Sequence, residues 1–588
     1  MIAEHLPVLQ ILIPLIAAPI CVLLRNRHLV FPFATLVSWV TCVVSVVLLQ
    51  RIMLGESISY ELGGWPSLWG IEYRLDPLSG LVLLVISAVA SLVLPFGREL
   101  LLREVPTEKH YLFYSAFLLC MTGLLGITIT GDFFNVFVFL EISSLSAYVL
   151  IAMGKDRRAL TAAYRYLIMG TIGSTFILIG IGLVYMMTGT LNMAELTQRL
   201  HGQVEVQNRI ITVIESRTVL AAFAFLTVGI SIKLALFPLH VWLPSAYTYA
   251  PSMVSAFLAA TATKVSFYLL LRVIFTIFGV QFAFHDMSLN QVLMTLGLMA
   301  VFIGSALAVY QENVKGLLAY SSVAQIGYLV LAVSFATGND EGSVLGLSAG
   351  IVHLFNHAMI KGSLFLTMGC VMWRVGSTDL KDMKGLAKSM PWTMAAFVVG
   401  GLSLIGVPLT VGFISKWYML LGAIDMRHLA AVSILVASTL LNAAYFVPIV
   451  YSAFFGSARE ADPPPGAAGT RFSEAPWPIV AATTATALLT LAFFIWPEIP
   501  LGLALQLVGR DATSQVTQVT NQLIACRRAA VKQEMDPGPG LAIVKELHLV
   551  DLSKLFQVRK RNRIAVRQLR LDRSSPLDRI LALRLRNS

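Results

Sequence analysis

Apolar runs of about twenty residues, each long enough to cross roughly 30 Å of hydrocarbon as a helix, recur along this chain from near residue 6 to near residue 497. There are fourteen, over 6–24, 29–50, 77–97, 110–130, 132–153, 164–188, 217–250, 252–275, 290–309, 315–336, 344–373, 392–422, 428–456 and 474–497. In lipid the backbone polar groups of a span must be satisfied internally, so runs of this length predict an all-α membrane protein. Composition agrees: 57% of the 588 residues are hydrophobic and 13% are charged, outside the norm for soluble globular domains. The first run leads into further spans without a small-residue cleavage site and reads as span one rather than a removed leader.

Lysine and arginine set the expected orientation. Arg25 and Arg27, then Arg98, Arg103 and Lys109, then Lys155, Arg157 and Arg158, then Arg374, Lys381, Lys384 and Lys388 fall in loops after odd-numbered runs. Those loops are expected to be cytoplasmic and the N-terminus outside. The alternate loop at 51–76 carries Glu56, Glu61, Glu72 and Asp76. Residues 502–588 differ from the rest: 16 Lys/Arg against 7 Asp/Glu supply +9 of the formal +11. Within them, Arg559 to Arg573 mixes basic residues with Ile, Val and Leu; it suits an anionic surface or a partner subunit, and equally a solvated tail. The five cysteines, Cys21, Cys42, Cys120, Cys370 and Cys526, show no ligand spacing, and no GxGxxG sits in a strand–helix context. Neither a metal, a redox cofactor nor a nucleic-acid partner is expected.

Five ionisable side chains interrupt the apolar runs: Glu141, Lys233, Lys264, Lys361 and Lys416. Each costs about 3 kcal/mol at mid-bilayer unless paired or wetted, which marks them as candidates for moving protons or ions. Glu141 follows an aromatic stretch, and Lys233 in run seven is its natural partner; a carboxylate that approaches and leaves a lysine changes how firmly the lysine holds its proton. A static ion pair joining two helices is the alternative. His353, His357 and Lys361 share one helical face at i, i+4 and i+8. Two histidines at that spacing can hold zinc, but no third ligand converges on them, and neutral imidazole, both donor and acceptor, suits a relay better. Hydroxyls beside Lys264, in Thr261, Thr263 and Ser266, could hold water.

Two runs are also broken. Run seven carries Lys233 and then Phe237-Pro238-Leu239-His240-Val241-Trp242-Leu243-Pro244, and run twelve carries Gly406-Val407-Pro408-Leu409 before Lys416. Each proline removes a backbone bond, and a broken helix at membrane depth is tolerated only where protein or water satisfies the freed carbonyls. Paired breaks in two halves of a chain point to a repeated transporter fold with its site at the breaks; a packing kink is the alternative. The recurrence itself is faint, because only Pro-Leu and a nearby lysine repeat.

Several stretches resemble the antiporter-like proton-pumping subunits found in respiratory complex I, membrane-bound hydrogenases and Mrp-type sodium/proton antiporters. They are Gly131 to Glu141, Lys233 to His240 with Trp242-Leu-Pro244, Ala250-Pro-Ser252, Lys315 to Ser322 through Gln325 to Tyr328, His353 to Lys361, and Gly406-Val-Pro to Ser415-Lys416-Trp. The resemblance spans roughly residues 70–455 and does not reach the tail. It implies three N-terminal helices over 1–109, two inverted five-helix repeats over 110–275 and 290–456, a fourteenth helix over 474–497 and the basic extension 502–588, with helices 7 and 12 broken. It also implies roles: Glu141 as the acid, Lys233 its partner, Lys264 the central lysine, His353 or His357 the relay and Lys416 the terminal exchange residue. His240, Lys315 and Lys361 would serve a secondary polar path, Lys315 as an entrance or anchoring charge and Lys361 as an anchor that wets the route. Gly131-Asp-Phe-Phe-Asn-Val136 and Phe257 to Lys264 bring the chain nearest to the D-type member of the Mrp antiporters. Lys416 stands where the complex I subunit of most similar pattern has glutamate, and Gln325 where some relatives have histidine.

Three function classes follow: a proton-conducting subunit of a monovalent cation/proton antiporter in the bacterial inner membrane, the pump module of a redox enzyme, and a membrane scaffold. The first two require other membrane subunits as partners and need the buried charges mobile, with protons and in the first case Na+ as cargo. A scaffold leaves the same charges paired and dispensable.

Overall fold

The computed structural model describes residues 2–456 and 474–495, apart from positions 68, 207, 208 and 339. The basic extension, the proline-rich stretch at 462–466 and the last residues of run fourteen lie outside the described residues. The helices are α1 (Leu6–Leu24), α2 (Arg27–Met53), α3 (Pro77–Glu104), α4 (His110–Ile129), α5 (Phe133–Ala152), α6 (Arg157–Thr188), the short α7 (Met193–Leu200), α8 (Arg217–Leu234), α9 (Trp242–Tyr249) and α10 (Ser252–Leu271). They continue as α11 (Leu289–Val309), α12 (Val314–Ser334), α13 (Glu341–Val375), the single turn α14 (Leu386–Ser389), α15 (Pro391–Ile405), α16 (Val411–Asp425), α17 (Leu429–Phe455) and α18 (Trp477–Ile495). The strands among the described residues form two short hairpins, Ile58–Glu61 with Glu72–Leu75 and Gln203–Val206 with Arg209–Thr212.

Thirteen of these helices are long and apolar enough to cross a membrane. Run twelve is not among them, because it divides into α15 and α16 of 15 residues each. Gly406 at φ +88° and Leu409 at φ +76° turn the chain out of the helix between them, and Pro408 has no N–H to continue the ladder. Run seven divides likewise into α8 and α9, through residues 235–241. A third irregularity was not expected: α10 passes into π-helical turns over Arg272–Phe278 and Gln281–Asp286.

Helices α4, α10, α12 and α13 are almost wholly buried, whereas α1, α6, α11, α17 and α18 turn apolar side chains such as Tyr164, Ile168, Leu440 and Val447 outward. Lipid tails give no hydrophobic drive between helices, so close approach of backbones does that work. A Cβ on Gly229 of α8 would lie 2.7 Å from the Gly173 carbonyl of α6, and one on Gly327 of α12 would lie 2.8 Å from the Gly297 carbonyl of α11.

One local arrangement occurs twice. At the start of α5, the Phe133 N–H donates to Leu191 and the Met193 N–H to Gly131; at the start of α12, the Val314 N–H donates to Thr378 and the Leu380 N–H to Glu312. In each half the helix start is thus stitched to the loop that follows the next long helix, with Asp132 or Asn313 capping the new helix.

Candidate functional site

The broken helices bring two lysines into the interior. Where α8 ends, the Ile232 carbonyl loses its helical donor and accepts instead from the Ala235 N–H and from Trp242 Nε1 at 3.0 Å. Trp242 is fixed by stacking on Tyr166 of α6 at 3.9 Å between ring centroids. Lys233, one residue past Ile232, is buried. Its Nζ donates to Ser144 Oγ of α5 at 2.9 Å and lies 3.9 Å from Glu141 Oε1. That separation is ion-pair reach without a hydrogen bond, and Glu141 Oε1 has no hydrogen-bond partner among the described residues. The acid is held loosely while the lysine is anchored.

Beside Lys233 lies a cavity of about 30 Å³, lined among others by Ser143, Ser144, Tyr166, Ala262 and Ser266. That volume has room for roughly two waters. Its wall on α10 is formed by Leu258, Ala262, Val265, Ser266 and Leu269, and Lys264 is not among its lining residues. Lys264 is fully buried; its Nζ donates to the Ala259 carbonyl of its own helix and, at 3.4 Å, to Thr263 Oγ1. Helix α10 then packs on α13, with the Ala260 methyl 3.9 Å from where a Gly362 Cβ would sit.

On α13 the rings of His353 and His357 are parallel within 10° and 5.9 Å apart. His353 Nδ1 pairs with Ser415 Oγ of α16 at 2.9 Å, and Asn356 Nδ2 donates to the Val411 carbonyl at 2.8 Å. His353 Nε2 and both His357 nitrogens are buried with no hydrogen-bond partner among the described residues. Buried imidazole nitrogens are normally hydrogen-bonded, so these are places where water can bind, and no group of three metal-binding side chains surrounds them among the described residues. The neighbouring charges are Lys264, Lys361 and Lys416. Lys361 donates to Ser321 Oγ at 2.6 Å and to the Leu318 carbonyl at 2.7 Å, both on α12. Lys416 donates to the Leu404 and Ile405 carbonyls at 2.8 and 3.0 Å, the groups freed where α15 ends, and its Nζ lies 4.8 Å from the Tyr328 ring centre. A cation at a helix C-terminus is favoured by the backbone dipoles; here one lysine satisfies the break and is positioned by it.

The candidate residues therefore form two groups, Glu141 with Lys233 and His353, His357, Lys361 with Lys416, and Lys264 stands on the helix between them. His240 and Lys315 make no hydrogen bond to either group: the His240 ring meets Phe237 and Tyr320, and Lys315 Nζ donates to the Ala250 carbonyl at 3.1 Å. The sequence reading gave no role to Ser144 and Tyr166, which carry no signature in an apolar run, nor to Ser321 and Ser415, which lie within stretches that carry the resemblance. It also missed Arg272, whose Nη2 donates to Asp76 Oδ1 at 2.6 Å and whose Nε donates to Tyr268 OH at 2.9 Å. Burial works against the Asp76 carboxylate, but Arg272 and the Ser79 donors outweigh it and hold the group below the usual carboxylate range. At the cap of α5, burial prevails over the backbone donors of Asn135 and Phe134 and pushes Asp132 up.

Residues 130–442 match the family described as NADH:quinone oxidoreductase/Mrp antiporter, TM. The chain is 41% identical to the N subunit of the NADH-quinone oxidoreductase of Desulforudis audaxviator, over 79% of this chain and 90% of that protein. It is 30% identical to the D subunit of the Na(+)/H(+) antiporter of Alkalihalophilus pseudofirmus, over 78% and 89%. In three dimensions it superposes with a TM-score of 0.76 on a chain of the Mrp complex from Dietzia sp. DQ12-45-1b, at 26% identity over 86% of this chain and 97% of that one. Matched over more than half its length by the family and along most of its length by members of both branches, this chain belongs to the NADH:quinone oxidoreductase/Mrp antiporter transmembrane family.

Proposed function

We propose that this protein is the proton-conducting subunit of a multisubunit monovalent cation/proton antiporter, passing protons through Glu141, Lys233, Lys264, His353 with His357, and Lys416. The observation that carries this reading is the open Glu141–Lys233 pair, 3.9 Å apart with the carboxylate oxygen free of hydrogen bonds among the described residues. A static brace is closed and saturated; this pair has room to separate, and separation alters the charge that Lys233 feels. The water-sized cavity beside Lys233 and the unpartnered imidazole nitrogens give the proton places to go. The two five-helix units over 110–275 and 290–456 each supply one broken helix to this row, and neighbouring membrane subunits would supply the cation path.

A second reading has its own support, the 41% identity to a subunit of an NADH-quinone oxidoreductase. There the same row would be driven by redox chemistry in partner subunits. The two readings part in inverted membrane vesicles bearing the native assembly. Proton efflux evoked by adding Na+ or K+, and lost when this chain is deleted, supports the antiporter. Proton uptake that needs NADH or another reductant and ignores the cation supports the redox pump and overturns the antiporter. Lys264→Leu should stop either activity, because leucine removes the titratable group on the helix between the two clusters; unchanged proton movement would remove Lys264 from the route.

A further inference from the structure

The two histidines of α13 differ in what holds them. His353 Nδ1 lies 2.9 Å from Ser415 Oγ of α16, while its Nε2 and both nitrogens of His357 have no hydrogen-bond partner among the described residues. Ser415 is fully buried, and its hydroxyl has two further contacts, with Asn356 Nδ2 at 3.4 Å and with the Gly412 carbonyl at 3.3 Å. The Asn356 amide is oriented by the Val411 carbonyl, 2.8 Å from Nδ2, because a carbonyl only accepts and so takes the nitrogen side. Asn356 therefore donates to Ser415, and the Gly412 carbonyl accepts from it. Only the bond between Ser415 and His353 is open in sense, since a neutral ring nitrogen can give or take.

A hydroxyl has one proton to give and two lone pairs to fill. If the Ser415 proton goes to the Gly412 carbonyl, the lone pairs accept from Asn356 Nδ2 and from a protonated His353 Nδ1, and all three contacts are made at once. If that proton goes to His353 Nδ1 instead, the Gly412 contact is left unused and the neutral ring must carry its hydrogen on Nε2. That would be a buried N–H with nothing to meet it among the described residues, and unmet buried N–H groups are rarer than unmet acceptors. Both counts favour the first arrangement, in which Nδ1 keeps the hydrogen and Nε2 is a bare lone pair.

We propose that His353 is a one-port proton store: Ser415 holds a hydrogen on Nδ1, protons enter and leave through Nε2 alone, and Ser415 and Asn356 are the positioning residues. The inference rests on the proton-conducting reading above. A protonated water gives its extra proton to the Nε2 lone pair, leaving water and an imidazolium whose Nδ1–H stays on Ser415. Release breaks the same Nε2–H bond and returns the proton to water. Passage from one ring nitrogen to the other is barred, because the Ser415 hydrogen points at the Gly412 carbonyl, which can pass it no further. His357, bonded at neither nitrogen among the described residues, is free to accept at one and release at the other. No hydrogen bond joins the two parallel rings, so water bridges them.

The test is solid-state nitrogen NMR of the whole assembly in lipid, with isotope-labelled histidine and at a pH where the ring is neutral, the His353 signals being those lost in His353→Gln. Wild type should show the His353 hydrogen on Nδ1. Ser415→Ala, which removes the acceptor, should move that hydrogen to Nε2 in a measurable share of molecules and lower proton movement in vesicles about five- to tenfold, the scale of one hydrogen bond. Ser415→Thr, which restores a hydroxyl, should return both toward wild type, which a packing defect alone would not allow. A wild-type ring with its hydrogen on Nε2 overturns the proposal, even if neither Ser415 variant assembles. So does a hydrogen that Ser415→Ala leaves in place, or one that moves with no change in proton movement. The underlying reading fails separately: undiminished proton movement in His353→Gln removes His353 from the row, and the store with it, whichever nitrogen carries the hydrogen.

Discussion

Replacing Glu141 with glutamine separates a moving ion pair from a fixed one. At 3.9 Å and an effective dielectric of about 20, a carboxylate and an ammonium attract by roughly 4 kcal/mol. Glutamine keeps the shape and removes that attraction. Since a factor of ten corresponds to about 1.4 kcal/mol, the change is large enough to slow a step that depends on it by two to three orders of magnitude. The fold should not notice, because Glu141 Oε1 accepts no hydrogen bond among the described residues and the side chain is 24% exposed. Lys233 also keeps its anchor on Ser144. The expected outcome is an assembly of normal melting temperature whose cation- or reductant-driven proton movement falls at least a hundredfold. The double variant Glu141→Gln/Lys233→Met completes the comparison. A structural brace predicts that Glu141→Gln loses about 3–5 kcal/mol by stranding a buried charge, and that removing Lys233 as well restores both stability and transport. Proton movement in Glu141→Gln within twofold of wild type, or recovery of transport in the double variant, would refute the coupling argument.

The break between α15 and α16 leaves no room at Gly412, where a Cβ would stand 1.8 Å from the Ser403 carbonyl oxygen. Relieving that to an ordinary carbon–oxygen approach of about 3.3 Å moves the helices apart by more than the Lys416 bonds can follow. Gly412→Ala should therefore lower stability by about 1–3 kcal/mol and slow transport at least tenfold, checked by melting of the detergent-solubilised complex and by vesicle assay; normal values in both would show the break to be pliable. Asp76, held below the usual carboxylate range, contributes stability that is fully present above its unfolded value of about 3.9 and is lost as the pH falls through its lower folded value. The melting temperature of Asp76→Asn should lie below wild type at neutral pH and converge with it under acid conditions. A gap that stays constant with pH would mean that the ion pair with Arg272 is not its source.

Much of the architecture was legible because the bilayer imposes a length and a polarity on every span. Run one ends where α1 ends, at residue 24, and the breaks announced by Pro238 and Pro408 lie where the helices divide. The buried charges were equally plain, since an ion in an apolar run stands out whatever the fold. The paired stitching of α5 and α12 was not legible: it joins Gly131–Phe133 to Leu191–Met193, and Glu312–Val314 to Thr378–Leu380, through main-chain bonds that depend on no particular side chain. The π turns after Leu271 left no trace either, as hydropathy does not distinguish one helical pitch from another.

The sequence by itself determined that this chain lives in a membrane, where its long apolar runs lie, where two of them break and which residues place charge within them. These follow from the cost of exposing a peptide bond or an ion to hydrocarbon, a cost that arises locally. Only the tertiary structure decided what each charge meets: Glu141 for Lys233, the Leu318 carbonyl and Ser321 for Lys361, the Leu404 and Ile405 carbonyls for Lys416. It alone gathered Ser305 of α11 and Ser438, Asn442 and Tyr445 of α17 into one cluster. A lone serine or asparagine fits any apolar run, and its meaning depends on which helices pack against it.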